Sequence, residues 1–172
     1  MMNDGKADII LRALEPEDLD FLYSIENDPD LWDVGCTNVP YSRHILSEYI
    51  LANKSDLYAD KQLRLIVTDG RGKQIGVIDL FNFEPKHLRA ELGIAILREY
   101  RNRGYGQMAI DRLMRYCKRH LHLHQIYAVV GENNQQSLKM FRNADFQEGA
   151  RMKDWIYDGN RFLDAIVMRI FL

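Results

Sequence analysis

The sequence predicts an α/β fold: a mixed, mostly antiparallel sheet with helices on both faces and a strand–helix–strand unit at its centre. Three observations carry that prediction. Short runs of strand-forming residues stand on either side of Asp-Gly turns at Asp69–Gly70 and Asp158–Gly159, the pattern of antiparallel hairpins. An apolar stripe of helical period over 105–120 stands between two strand-like runs, and a right-handed crossover makes those two strands parallel. The 172 residues suffice for one packed core and not comfortably for two, so 1–172 reads as a single domain.

The elements follow in order. Residues 8–14 (DIILRAL) read as a first strand. Pro16 suits the first position of a helix, with Glu17 and Asp18 in a first turn that favours acids, and Leu19, Leu22 and Tyr23 continue at helical spacing. After a loop from Asn27 to Pro40, Ser42 is expected to cap a second helix with Ile45, Leu46, Tyr49 and Ile50 on one face. Residues 62–68 and 74–83 form a hairpin, and a polar connection from Glu84 to His87 leads to a strand at 89–96. The helix at 105–120 buries Ala109, Ile110, Leu113, Met114 and Cys117, with Leu121 just beyond. A strand at 125–130, a short helix near Gln135 to Asn143 and a final hairpin about Asp158–Gly159 complete the chain.

Composition narrows the function. Apolar residues make up 47% and charged residues 28%, with no apolar run of bilayer-spanning length. The N-terminal residues, polar and acid-bearing, do not read as a secretory signal. Cys36 and Cys117 give neither a disulfide framework nor metal-ligand spacing, which fits a reducing, cytoplasmic setting. No nucleic acid, membrane or metal partner is expected. His120, His122 and His124 alternate, but no Cys or carboxylate completes a zinc set nearby. Residues 1–60 hold thirteen Asp/Glu against four Lys/Arg, a balance of −9; the chain's net −2 leaves +7 for the remainder. That asymmetry suits a cationic ligand at one end and an anionic one at the other, or an unevenly charged solvated surface.

The segment that asks for chemistry is Arg101-Asn102-Arg103-Gly104-Tyr105-Gly106-Gln107, between strand and helix. Two glycines let the backbone approach a ligand, and a helix N-terminus offers unpaired N–H groups and the positive end of a dipole. With Arg98 nearby, the chemistry implied is diphosphate binding. Gly104-x-Gly106-x-x-Ala109, with Glu132 downstream, formally matches a dinucleotide fingerprint. Against that reading, Leu97 to Arg103 separates strand from fingerprint, hairpins precede it, and only one strand–helix–strand unit is present.

Arg101-x-x-Gly104-x-Gly106 resembles the acetyl-CoA signature of GNAT acetyltransferases, and Asn134-Gln135-Gln136-Ser137-Leu138-Lys139-Met140-Phe141-Arg142, ending at Asp145-Phe146, resembles that family's second motif. With LRALEPEDL, Pro40-Tyr41, RAELGI and the ending at 156–171, the sequence is similar to the branch holding spermidine acetyltransferases and ribosomal-protein N-terminal acetyltransferases. The resemblance implies acetyl-CoA as co-substrate and a homodimer or larger. It places Ile94, Ala95 and Ile96 along the pantetheine arm and Arg101, Asn102, Arg103, Gly104, Tyr105, Gly106 and Gln107 on the pyrophosphate through main-chain N–H groups. Asn134 and Ser137 would contact the cofactor where the strands diverge, and Phe141 and Arg142 would flank its distal arm and thiol.

Acetyl transfer to an amine needs an acceptor for the ammonium proton, a donor for the developing oxyanion and a proton for the leaving thiolate. Holding both substrates together in one complex supplies the rest, and no nucleophile constellation for a covalent intermediate is visible. Glu91, acting through water, is the expected base; strand alternation points it opposite to Leu92, and simple exposure or a pair with Arg89 are the other readings of it. Where the family often carries an acidic tyrosine, this chain has Phe141, which leaves open a non-catalytic acetyl-CoA-binding module or help from Tyr105 or Tyr157. Trp32, Asp28, Asp30 and Asp33 lie where the family builds its acceptor site. The acidic first third favours a polyamine, and a peptide N-terminus or an aminoglycoside is the other choice.

Overall fold

The structure, a computed structural model, describes residues 8–32, 39–54 and 56–172. Its centre is a seven-stranded sheet in the order β1-β2-β3-β4-β5-β7-β6, with β1 at Ile9–Ala13, β2 at Leu63–Asp69, β3 at Gln74–Glu84, β4 at Arg89–Ile96, β5 at Gln125–Gly131, β6 at Gln147–Tyr157 and β7 at Phe162–Phe171. Every neighbouring pair is antiparallel except β4 and β5, which are parallel, as the crossover through a helix requires. The helices are α1 (Leu19–Glu26), α2 (Pro29–Trp32), α3 (Arg43–Ala52), α4 (Leu57–Asp60), α5 (Tyr105–Tyr116) and α6 (Gln135–Asn143).

The sheet is covered on both faces. On one, α5 and α6 lay Ile110, Leu113, Leu138 and Phe141 over Ile78, Leu80, Leu92, Ile126 and Met168, all buried. On the other, Leu22 and Ile25 of α1 and Leu46 and Ile50 of α3 close over Ile66 and Val77. The spacing Leu46–Ile50 is one helical turn, so both face the sheet; Ile45, expected on the same face, lies a step around the helix and is 49% exposed. Ser42 caps α3 as expected, its Oγ accepting from the Ile45 N–H at 3.2 Å.

Two helix termini differ from the sequence expectation. Pro16–Asp18 is a 3₁₀ turn, and α1 begins only at Leu19. The cause is Asp18, whose carboxylate is turned back from the helix. It accepts from Arg12 Nη1 and Nη2 at 2.7 and 2.6 Å, from Gln74 Nε2 at 2.9 Å and from the Glu15 N–H at 2.9 Å. At the other end of the central unit, α5 gives way to a π turn over Cys117–Leu121, closed by His122 in the left-handed region (φ 51). The wide turn keeps Cys117 fully buried and brings Leu123 back into the core. Burial pushes the Cys117 thiol up to about 12, so it packs as an apolar group.

The Asp18 knot predicts a stability phenotype. Asp18 is 1% exposed; burial alone would raise its pKa, yet the donors from Arg12, Gln74 and Glu15 hold it below the usual carboxylate range. Arg12→Leu leaves that charge buried and short of its main partner, and is expected to destabilise the fold by about 3–5 kcal/mol at pH 7. Because the folded-state pKa lies below the unfolded one, the stabilisation is complete above the ordinary carboxylate range and is lost as pH falls through the folded value. Urea unfolding at pH 7 and pH 3 should therefore show a large wild-type-to-variant gap at pH 7 that narrows in acid.

Candidate active site

The site is created by a failure of strand pairing. Strands β4 and β5 pair only through Arg89↔Gln125, Ala90↔Ile126 and Glu91↔Tyr127, although β4 runs on to Ile96 and β5 to Gly131. Beyond Glu91 and Tyr127 the two strands part, while β4 stays paired with β3 on its other edge through Ile96. The edge of β4 that faces the gap thus offers main-chain donors and acceptors with no strand partner. A cleft of about 390 Å³ opens there. Ile94, Ala95 and Ile96 form one wall, Asn134, Ser137 and Met140 of α6 the other, and Arg101, Asn102 and Gly106 its mouth. A second groove of about 400 Å³ runs beside β1 and α5, but its Arg12 and Arg112 are committed to Asp18 and Asp8 and no base lines it.

The mouth has the backbone that anion binding requires. Asn102 (φ 60) and Gly104 (φ 82) both adopt left-handed conformations, which turn successive N–H groups to one side before α5 begins at Tyr105. Gly104 has no side chain to cap that helix, so the N–H groups of its first turn remain for a ligand. At Gly106 an added Cβ would sit 2.7 Å from Met140 Sδ, a contact from which the flexible Met140 side chain would have to shift. The side chains here brace the loop: Arg101 Nε donates to the Ile96 carbonyl at 2.8 Å, Gln136 Nε2 to Asn102 Oδ1 at 2.9 Å, and Gln107 Nε2 to the Asn143 carbonyl at 2.8 Å. Arg103 and Tyr105 flank this turn, Arg103 exposed and Tyr105 packed edge-on against Tyr100 at 5.9 Å.

On the far wall Asn134 caps α6, its Oδ1 accepting from the Ser137 N–H at 3.1 Å. Phe141 and Arg142 do not line the cleft where the resemblance put them. One turn beyond Ser137, α6 has passed from cleft to core: Phe141 is 3% exposed and stacks on Phe146 at 5.0 Å, and Arg142 is drawn outward to Glu148, with Nε at 2.9 Å. Tyr157 is at the hairpin tip, its hydroxyl donating to the Gly159 carbonyl at 3.0 Å, and it does not line this cleft.

Glu91 occupies the vertex, the last paired position before the strands part. Alternation acts as expected, burying Ala90 and Leu92 on the α5 side and leaving Glu91 half-buried on the other. The pairing with Arg89 does not form, because Arg89 Nη2 reaches both carboxylate oxygens of Glu84 at 2.9 and 3.0 Å. Glu91 instead accepts from Asn82 Nδ2 at 2.9 Å, and Tyr127 stands directly across from it. Partial burial, then the Glu91 charge, raises the Tyr127 phenol, which keeps it a donor at neutral pH.

Next to Glu91 on the same sheet face lies a polar layer that the sequence reading missed. Asp79 is the cross-strand partner of Gly93 as Phe81 is of Glu91, so Asp79 and Glu91 point the same way. Arg64 grips Asp79 through Nε and Nη2 at 2.9 and 2.8 Å and also pairs with Glu26. One guanidinium thus faces two carboxylates below α1. Of the acidic segment expected to receive the acceptor, Asp30 lines the cleft and meets Arg98 at 3.3 Å, and Asp28 caps the Asp30 N–H at 3.0 Å. Asp33 and the Trp32 side chain lie outside the described residues. The described residues bring no three His, Cys, Asp or Glu together around a metal position.

A single parallel pair in an otherwise antiparallel sheet excludes the doubly wound dinucleotide fold. The Acetyltransferase (GNAT) domain model matches residues 8–147. The chain belongs to the GNAT acetyltransferase family. This GNAT chain is similar to the spermidine N(1)-acetyltransferase of Escherichia coli K12, 29% identical over 166 residues that cover 94% of this chain and 84% of the relative. Its fold matches the crystal structure of spermidine N-acetyltransferase from Vibrio cholerae in complex with CoA and spermine, with a TM-score of 0.85 and 27% identity over 95% of both chains. It also matches a dodecameric structure of the V. cholerae protein, with a TM-score of 0.79 and 28% identity over 95% of this chain and 93% of that one. The protein is an acetyl-CoA-dependent N-acetyltransferase, and acetyl-CoA is its co-substrate. Its cleft fits that molecule: free N–H groups at the mouth for a diphosphate, a missing Cβ at Gly106, and an unpaired strand edge for an amide-bearing arm. Among the described residues, no helix is long and apolar enough to cross a membrane.

Proposed function

We propose that this enzyme acetylates a polyamine, by direct attack of a primary amine within a complex of both substrates, with Glu91 as the base. The observation that carries the acceptor class is the carboxylate layer of Glu26 and Asp79 about Arg64, beside Glu91 and on the sheet face opposite α5, in a first third that holds thirteen Asp/Glu against four Lys/Arg. A chain with several ammonium groups can leave one near that layer while another meets Glu91. The relatives named for spermidine, and the one solved with spermine, support the same class.

In this reading Glu91 takes the proton of the ammonium through one water and frees the nitrogen lone pair. Acetyl-CoA supplies the acyl group, its C–S bond breaking as the C–N bond forms, and free CoA thiol is released. The gap-facing N–H groups of β4 steady the carbonyl oxygen as charge develops on it. The first turn of α5 and the loop over Arg101, Asn102, Arg103, Gly104, Tyr105, Gly106 and Gln107 hold the diphosphate, while Ile94, Ala95, Ile96, Asn134 and Ser137 hold the arm. With Phe141 in the core, the thiolate leaves without a phenol at that position. The chain acts as a homo-oligomer, a reading supported by the exposed Trp155, Tyr157 and Phe162 of the β6–β7 hairpin and by the dodecameric relative. A reducing, cytoplasmic setting accords with the free, buried Cys117.

Release of CoA thiol from acetyl-CoA tests the reading, with spermidine, a pool of peptides with free N-termini and buffer alone in parallel. Spermidine should give at least about tenfold the rate of the peptides, the equivalent of one favourable charge contact. Faster release with peptides would reassign the acceptor. No release with either, alongside measurable CoA binding, would overturn the polyamine reading and send the search to another class of amine.

A further inference from the structure

Three features converge on the Glu91 carboxylate, and the reaction as described uses none of them. The first is Asn82. Strand β3 loses register between Phe81 and Glu84, and Asn82 there takes a left-handed backbone (φ 48). In a regular strand Asn82 would point away from the face that Phe81 and Glu91 share; the bulge brings its Nδ2 within 2.9 Å of Glu91 Oε2. A non-glycine residue held at positive φ beside a candidate base is strain placed where it serves a contact. The second is Tyr127. It is the Cα partner of Glu91 across the parallel pair β4–β5, and the burial of Ile126 and Ala128 turns it to the same face as Glu91. The third is position: Glu91 and Tyr127 form the last rung before β4 and β5 separate, so both side chains border the opening.

We propose that Tyr127 and Asn82 are positioning residues for Glu91, two neutral donors from the flanking strands that hold its carboxylate in place and aimed at the opening between β4 and β5. The inference rests on the reading of Glu91 as the base. The remaining charged groups on this face are otherwise engaged: Arg89 with Glu84, and Arg64 with Asp79 and Glu26 beneath Tyr49. Arg169, opposite Tyr127 on β7, is exposed and lies over the Phe171 ring. Glu91 therefore depends on neutral donors, where many carboxylates depend on a cation. The arrangement suits a base that must stay basic: a salt bridge would lower its proton affinity far more than two neutral hydrogen bonds do.

The test is the pH dependence of kcat/KM for the amine at saturating acetyl-CoA. Tyr127→Phe removes one hydroxyl and should move the acid limb of the profile up by about 0.5–1 pH unit, the equivalent of one neutral hydrogen bond to the ionised form. Asn82→Asp keeps a side chain that tolerates positive φ and adds a like charge, so it should move the limb the same way by about one unit or more. Calorimetric affinity for CoA should stay at the wild-type value in both variants. Acid limbs that stay at the wild-type pH in both, whatever happens to kcat, would overturn the proposal. Glu91→Gln separates the two readings. If that variant keeps the wild-type rate and limb, the base assignment fails and this inference falls with it. If its rate falls and climbs with pH past the wild-type plateau while Tyr127→Phe and Asn82→Asp leave their limbs unmoved, only the positioning roles fail.

Discussion

Glu91→Gln should lower kcat/KM for the amine at neutral pH by about 10²–10⁴-fold, the usual contribution of a positioned general base. The substitution is close to isosteric and keeps an oxygen that Asn82 can still reach, so the strand should be undisturbed. Affinity for CoA should remain within about twofold, since the diphosphate and arm contacts lie away from Glu91. The residual rate carries the more specific signature. Without a base the enzyme must wait for amine that is already neutral, and an alkylammonium near pKa 10 supplies about tenfold more of it per pH unit. The variant's log rate should therefore climb with unit slope well past the pH at which the wild type levels off. A variant that plateaus with the wild type would show that Glu91 takes no proton in the rate-limiting step, and base duty would move to another group on this face.

Much of the scaffold could be read directly from residue pattern. β4 at Arg89–Ile96 and α6 at Gln135–Asn143 fall on the expected residues, because alternation, an Asn cap and helical spacing are local signals. The turn into α5 was legible for the same reason: glycine suits a strand-to-helix turn that needs a left-handed residue, and Gly104 takes one. What stayed hidden depends on register and depth. The rung joining Glu91 to Tyr127 follows from how far β4 and β5 remain paired, and the crossover sequence does not encode that length. The bulge at Asn82 lies inside a run that reads as regular alternation. Phe141 aligns with a residue expected at the thiol, but its environment is set by Phe146 in the core below α6 and by Leu138 on the buried face of the same helix. The π turn after α5 likewise answers a tertiary demand, keeping Cys117 and Leu123 both inside.

The position of Gly104 turns the anion site into a charge experiment. Its φ of 82 means that any L-residue there bears strain of about 1–2 kcal/mol, so the loss from a bulky acidic substitution would mix folding with binding. Asp and Asn tolerate the left-handed region better than other side chains and have nearly the same shape. A Cβ at this position meets no atom within 4 Å, so either side chain fits without a clash. Gly104→Asn is then a control for strain and bulk, and Gly104→Asp adds one negative charge at the positive end of α5. At about 4 Å and an effective dielectric near 20, that repulsion is worth about 4 kcal/mol per unit charge, roughly a thousandfold in affinity. Calorimetric titration with CoA at low salt should show Gly104→Asp weaker than Gly104→Asn by two to three orders of magnitude, on the order set by that repulsion, with matching unfolding temperatures. Adding salt should narrow the gap by screening, whereas a gap caused by misfolding would not respond. Equal affinities would mean that the diphosphate lies elsewhere than at the first turn of α5. The helix dipole, the unpaired N–H groups and the two left-handed residues before them would then be features of a tight turn alone.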